Sequence, residues 1–350
     1  MPANTAAVLC LAGRSSRMGR FKPLLPIGDS SAAERMVDCF LAAGVDHLVL
    51  VTGREAEALQ RALSGRGLRF VHNPDYADTD MFASVRLGLL RAVACAQRFF
   101  VSPGDIPLLE PATLRAMLGA LSPSETEVCM PTFAGQPGHP VLLSRAAAHH
   151  VLNDNGGQGL RGALCGLADR TLWLETDDFG TLFDMDRPDD YALIRQLAAL
   201  RAQPDVLQSR LPAAKLAARL AAMLAQAGHA ADPRAAVAAC LLDECPPESP
   251  RPDGLPAPSE LCFLARHYGL DGCPAPLDLQ LQRALAATAD PDAAARLCAR
   301  FAHAKALERH IEALTGHARD GLFMDNSDGH SGADSLPLPL KNSKHIEGFF

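Results

Sequence analysis

The chain has 350 residues, 48% of them hydrophobic and 21% charged, a globular balance with length enough for two domains. Its formal net charge of -7 argues against a nucleic-acid binder held by bulk positive charge, and leaves room only for a local basic pocket that takes phosphates. No apolar stretch reaches the ~18 residues that span a bilayer, so neither nucleic acid nor membrane is expected as a partner.

The 10 cysteines are scattered singly, without a C-x-x-C pair that would suggest a zinc knuckle or a redox dithiol. The first apolar run, 6–12, has neither a basic leader nor a cleavage pattern, and the expected location is the cytoplasm, with reduced thiols.

In chain order, residues 5–11 read as a strand that ends in a glycine and serine loop. Ser31 and Glu34 form an S-x-x-E capping box, which opens a helix to about Ala43 with Gly44 as its stop. Strands follow at 47–51, 68–72, 98–102, 128–130, 141–143 and 171–174. Helices fall at 55–63, 83–94, 111–121, 160–167 and 188–200, the last with Pro188 at its start. Such alternation predicts an α/β fold: a Rossmann-like, mostly parallel sheet with helices on both faces and ligands at the carboxyl ends of its strands.

After Gln203-Pro204-Asp205 the texture changes to Ala- and Leu-rich helical runs at 211–228, 234–242, 259–268, 277–287 and 292–314, with a Pro-rich loop at 246–258. This predicts a smaller all-α domain over 204–318 after a first domain over 1–203. Residues 319–350, rich in Gly, Ser, Asp and Pro without periodicity, are expected to be disordered.

The loop after the first strand carries the most chemistry: Leu11-Ala12-Gly13-Arg14-Ser15-Ser16-Arg17-Met18-Gly19-Arg20-Phe21-Lys22-Pro23-Leu24-Leu25-Pro26. Its backbone N–H groups can turn toward a triphosphate, and Gly13 permits close approach. Arg17 and Lys22 are cations in the same loop, suited to charge that builds on phosphates in a transition state. The spacing fits neither G-x-x-x-x-G-K-[ST] nor G-x-G-x-x-G. Further on, Asp105 in Ser102-Pro103-Gly104-Asp105-Ile106-Pro107 lies at a strand's carboxyl end, where a carboxylate can hold a hard cation that bridges phosphate oxygens. A solvated turn aspartate is the alternative reading of Asp105 taken alone.

These segments resemble the molybdenum-cofactor nucleotidyltransferases and their sugar-nucleotide relatives. The loop at 11–26 is similar to the signature L-A-A-G-x-S-x-R-M-G-x-x-K-x-L-L-P, with Leu11 in place of the first alanine. Residues 80–88 resemble G-M-x-x-S-v-x-x-G, with Asp80 where glycine is usual; residues 135–140 resemble G-x-x-G-H-P; residues 156–161 resemble G-D-x-G-x-R; and residues 184–190 resemble D-x-D-T-P-x-D, with Arg187 for threonine. The resemblance covers about residues 5–200 and implies a nucleotide-diphospho-sugar transferase type of fold with Mg2+ as cofactor. It implies catalytic roles for Arg17, Lys22 and Asp105, and nucleotide contacts from Leu11, Ala12, Gly13, Ser15, Ser84 and Gly88. Gly138, His139, Pro140, Gly159 and Arg161 would shape the acceptor side, and Asp184 would join Asp105 on the metal. A helix N-terminal role favoured by the dipole suits Asp189 and Asp190.

Ser15, Arg17 and Leu24-Leu25-Pro26 resemble the cytidylyl members more than the guanylyl ones, so the expected partners are CTP and molybdopterin. A sugar or alcohol phosphate as acceptor is the second reading. The third is a non-catalytic accessory protein that delivers cofactor to a molybdoenzyme, against which Arg17, Lys22 and Asp105 all speak. The helical half faintly resembles an HD-type metal phosphohydrolase: Asp243-Glu244 fall where a His-Asp pair belongs, no histidine stands near 212–215, and His267 lies where a later one could. Carboxylate in place of imidazole changes metal preference, so this half is expected to be degenerate and non-catalytic, with a structural or partner-binding role. His303 and His310 read as packing or surface residues.

Overall fold

A computed structural model describes residues 4–121, 126–154, 157–226 and 232–242. The expectations placed on Asp243, Glu244, His267, His303, His310, the 246–258 loop, the later helices and the 319–350 tail lie outside the described residues.

The strands are β1 (Thr5–Leu11), β2 (Pro26–Ile27), β3 (Ser30–Ser31), β4 (His47–Thr52), β5 (Arg69–His72), β6 (Arg98–Pro103), β7 (Val128–Phe133), β8 (Gln136–Pro137), β9 (Val141–Ser144) and β10 (Thr171–Glu175). The helices are α1 (Ala32–Ala42), α2 (Ala56–Ala62), α3 (Met81–Ala92), α4 (Pro111–Ala120), α5 (Arg145–Asn153), α6 (Gly159–Cys165), α7 (Pro188–Arg201), α8 (Pro204–Gln226) and α9 (Pro233–Leu242). The chain divides into two compact units between Ala198 and Ala199.

The first unit is built on an eight-stranded sheet of order β10-β7-β9-β6-β1-β4-β5, with β8 paired to β7. β1 runs parallel to both β4 and β6, and β7 parallel to β10. β9 is antiparallel to β6 and β7. The sheet is thus mixed but mostly parallel. After β5 at one edge, the chain returns to the other side of β1 to lay down β6. That crossing leaves a crevice beyond the carboxyl ends of β1 and β6, the position where open α/β sheets bind ligands.

Side chains alternate across β1 with the strand period of two. Ala6 and Val8 join the core beneath α3, α5 and α6, with Val85, Leu89, Val151 and Leu160. Ala7, Leu9 and Leu11 join the opposite core beneath α1, α2 and α4, with Phe40, Leu59, Leu114 and Met117. Phe40 meets Phe100 edge-on, with ring centroids 5.5 Å apart. The capping box is formed as the sequence predicts: Glu34 N donates to Ser31 Oγ, and Glu34 Oε2 accepts from Ser31 N at 2.8 Å.

Two local readings change. α5 has no counterpart among the sequence-predicted helices, because Ser144 both ends β9 and caps the helix, its Oγ accepting from Ala147 N at 3.1 Å. No loop separates the two elements, and the buried face of α5 is mostly alanine, so the period is faint. α8 begins at Pro204, inside the stretch read as a break, because proline's fixed φ and missing N–H suit a first helical turn. In the second unit, α8 buries Ala214, Ala217, Ala218 and Ala221, α9 buries Val237, Cys240 and Leu241, and Arg210 donates to Leu241 O at 2.6 Å. No helix among the described residues is long and apolar enough to cross a membrane.

Candidate active site

The crevice at the β1 and β6 ends is assembled by close backbone approach. Gly104 N donates to Cys10 O at 3.0 Å, and a Cβ built on Gly104 would lie 2.1 Å from Leu11 Cδ2. Only glycine lets β6 end this close to β1, and Asp105 follows it directly. On the other side, a Cβ on Gly53 after β4 would lie 2.7 Å from Ala12 O and 2.5 Å from Tyr76 Cγ. Leu11 and Ala12 are themselves buried. A Cβ on Gly13, by contrast, would meet nothing within 4 Å.

The loop folds back on itself so that its cations face the crevice. Ser15 takes a left-handed φ of 52°, Gly19 one of 69°, and Gly19 N donates to Ser15 O at 3.1 Å. Ser15 Oγ accepts from Lys22 N at 3.3 Å. A short 3-10 turn over Lys22–Leu24 then carries the lysine inward.

Lys22 Nζ lies 3.2 Å from Asp105 Oδ2 and 2.6 Å from Asp186 Oδ1. The other oxygen of Asp186 lies 2.7 Å from Arg17 Nη1. Lys22 is only 13% exposed whereas Arg17 is 62% exposed, so the ammonium is fixed and the guanidinium reaches into solvent. Burial works against the Lys22 charge, but Asp105 and Asp186 outweigh it and hold its pKa above the ordinary lysine value. Burial pushes Asp105 up to about 6 against the pull of Lys22, helped by the charges of Asp184 and Asp186. For Asp186, burial is overcome by Lys22 and Arg17, and its carboxyl is held below the usual carboxylate range.

The acidic segment is docked by its backbone. Met185 N donates to Asp105 O at 2.8 Å, and Met185 is fully buried between the two acids that flank it. Asp190 Oδ2 accepts from Asp186 N at 3.0 Å and from Arg187 N at 2.7 Å, which fixes the turn into α7. Tyr191 Oη donates to Pro26 O at 2.7 Å and so ties α7 to the end of the basic loop.

Arg17, Lys22 and Asp105 are therefore brought together. Asp184 acts on Asp105 through its charge, and Asp186, to which the sequence assigns no role, pairs with both cations. The alternation of an acid, a buried Met185 and a second acid was the signal for it. Ser84 is buried and accepts from Asn73 Nδ2 at 3.1 Å. Gly88 packs against the sheet, where a Cβ would lie 2.2 Å from Val8 Cγ1 and 2.9 Å from Val51 Cγ2. Asp80, which departs from the usual glycine, caps α3 by accepting from Ala83 N at 3.0 Å.

Gly138 and His139 dock against Thr181: His139 N donates to Thr181 O at 2.9 Å, and a Cβ on Gly138 would lie 2.5 Å from Thr181 Cβ. The His139–Pro140 peptide is cis. His139 lines a small cavity with Cys10, Met81, Val85, Ser102 and Leu160. Gly159 opens α6 with φ of 63°, and Arg161 lies one turn's start further on.

This arrangement of a basic loop, a G-D turn and an acidic segment has known counterparts. Residues 6–170 match the family described as the MobA-like NTP transferase domain. That match lies within the first unit and spans just under half of the chain. Over those residues the chain is similar to nucleotidyltransferases. The chain is 28% identical over 201 residues to the molybdenum cofactor cytidylyltransferase of Escherichia coli K12, covering 54% of this chain and 94% of that protein. It is 27% identical over 197 residues to the purine catabolism protein PucB of Bacillus subtilis 168, covering 54% of this chain and 95% of that one. Among solved structures, Rv0371c of Mycobacterium tuberculosis H37Rv is similar at 28% identity and a TM-score of 0.50, over 56% of this chain and 99% of that one. These likenesses extend to about half of the chain.

Proposed function

We propose that the first unit transfers a nucleotidyl group, from CTP first among the triphosphates, to the phosphate of molybdopterin, with release of pyrophosphate. The observation that carries this reading is the convergence of Asp105 and Asp186 on Lys22 Nζ at the end of the basic loop. The choice of acceptor and base is supported by the likeness to the E. coli cytidylyltransferase.

The donor set fits magnesium. Among the described residues no three or more His, Cys, Asp or Glu side chains form a ready-made metal cage. Mg2+ is commonly held by one or two carboxylates with substrate phosphates completing the shell. Asp105 and Asp186, which already share one cation in Lys22, would hold it, with Asp184 adding negative charge beside them. When bound, the ion neutralises charge on phosphate oxygens.

The chain's own residues do the rest. The backbone from Leu11 to Ser15 and the side chains of Arg17 and Lys22 bind and orient the triphosphate. The two cations stabilise negative charge as it builds on the leaving pyrophosphate. The Gly138–Pro140 loop and the start of α6, with Gly159 and Arg161, face the acceptor. An acceptor phosphate is ionised at neutral pH and needs no general base. Asp186 occupies both cations in the free protein, so a triphosphate replaces a carboxylate there without leaving either charge unpaired.

Pyrophosphate release measured with CTP, GTP, ATP and UTP, each with molybdopterin and Mg2+, tests the reading. CTP is expected to exceed the others by at least about tenfold. Release only with a sugar or alcohol phosphate as acceptor would replace molybdopterin, and no release with any acceptor would sink the reading.

A further inference from the structure

Asp178 is a buried acid that none of the roles above uses. It lies just before a short 3-10 turn over Phe179–Leu182, which leads into the acidic segment. Its Oδ2 accepts from Glu110 N at 2.8 Å and from Thr113 Oγ1 at 2.9 Å, both at the start of α4. Its Oδ1 accepts from Gly180 N at 2.9 Å. Both oxygens are thus satisfied by donors from two different elements, in a place where only 2% of the residue is exposed. A buried acid whose oxygens bind two different elements holds those elements together.

What it joins is one end of a strap. Thr181 Oγ1 donates back to Asp178 O at 2.9 Å, and Thr181 O receives His139 N. Four residues on, Met185 N donates to Asp105 O. The strap therefore touches the acceptor loop and the metal-side acid in one run of eight residues, and Asp178 anchors it to α4.

We propose that Asp178 is a positioning residue for nucleotidyl transfer: by clamping the strap to the start of α4, it holds Asp184 and Asp186 beside Asp105 and seats the His139 loop on Thr181. The word transfer here rests on the function proposed above; the clamp itself does not. Asparagine at 178 keeps one acceptor oxygen and turns an NH2 toward N–H or O–H donors, so at least one side of the clamp opens. Thr113→Val removes a single hydroxyl bond at nearly constant volume, and Thr113→Ser keeps it.

The test is amide hydrogen exchange on the full chain, alongside steady-state kinetics. In Asp178→Asn the Met185 and His139 amides are expected to exchange about tenfold faster, while the Val8 amide in the centre of β1 is unchanged. Thr113→Val shifts the same two amides in the same direction by less, and Thr113→Ser restores them. In the kinetics, kcat falls in Asp178→Asn and in Thr113→Val, and Thr113→Ser restores it. Equal exchange at Met185 and His139 in wild type and both variants overturns the proposal, as does uniform acceleration that includes Val8. If Asp178→Asn does not fold, Thr113→Val against Thr113→Ser decides. A wild-type protein without pyrophosphate release sinks the proposed function and leaves the exchange result to judge the clamp.

Discussion

Asp186 divides its two oxygens between Lys22 at 2.6 Å and Arg17 at 2.7 Å, and so pairs with both cations of the basic loop. Asp186→Asn is expected to lower turnover at least about tenfold and to raise the Mg2+ concentration needed for half-maximal rate; an unchanged metal dependence would remove Asp186 from the site. The glycines separate two roles that one residue type can play. Gly104→Ala drives a Cβ into Leu11 and Cys10 O, and Gly88→Ala drives one into Val8 and Val51. Each should cost about 1–3 kcal/mol in urea unfolding. Gly13→Ala meets nothing within 4 Å, so it should leave unfolding unchanged; if the loop cradles a triphosphate as proposed, the added methyl raises KM for it. A destabilised Gly13→Ala with normal KM would contradict this use of the loop. The sequence showed Arg17, Lys22 and Asp105 through fixed spacings. It did not show Gly88 as a packing residue, because close helix-to-sheet approach is a property of tertiary contact and leaves no local pattern.

At the scale of elements, the acids carry a pH signature. Burial pushes Asp178 up to about 7 and Asp105 up to about 6, from 3.8 in an exposed carboxyl. Between these values the native chain keeps protons that the unfolded chain has lost, so stability falls as pH rises through that window. Asp186, held low by its cations after burial is overcome, works the other way: its contribution is lost as pH falls below the ordinary carboxylate range. The two windows do not overlap. The urea midpoint should therefore be lower at about pH 8 than at about pH 5, with a smaller difference in Asp178→Asn. An equal difference in wild type and variant would contradict the burial argument. The elements themselves were largely legible, since the Ser31–Glu34 box and the period-two core of β1 are local signals. α5 and the start of α8 were not. Ser144 merges a strand with a helix cap, and Pro204 opens a helix where proline suggested a break.

At the scale of the molecule, the alternating texture dictated a layered sheet, but not that β9 inserts antiparallel between β6 and β7. A short apolar run specifies burial and says nothing of direction. What matters for function survives that difference, because β1 and β6 still end side by side at the crossing point of the sheet, and the basic loop still faces Asp105. The change to alanine-rich helices near residue 200 reflects packing by small side chains in α8 and α9, visible in composition alone. The most direct measurement is pyrophosphate release by Lys22→Ala and wild type under identical conditions, with CTP, molybdopterin and Mg2+ saturating. A folded Lys22→Ala protein slowed by about 10²–10³-fold is the predicted result; a folded variant that turns over at the wild-type rate would contradict the account.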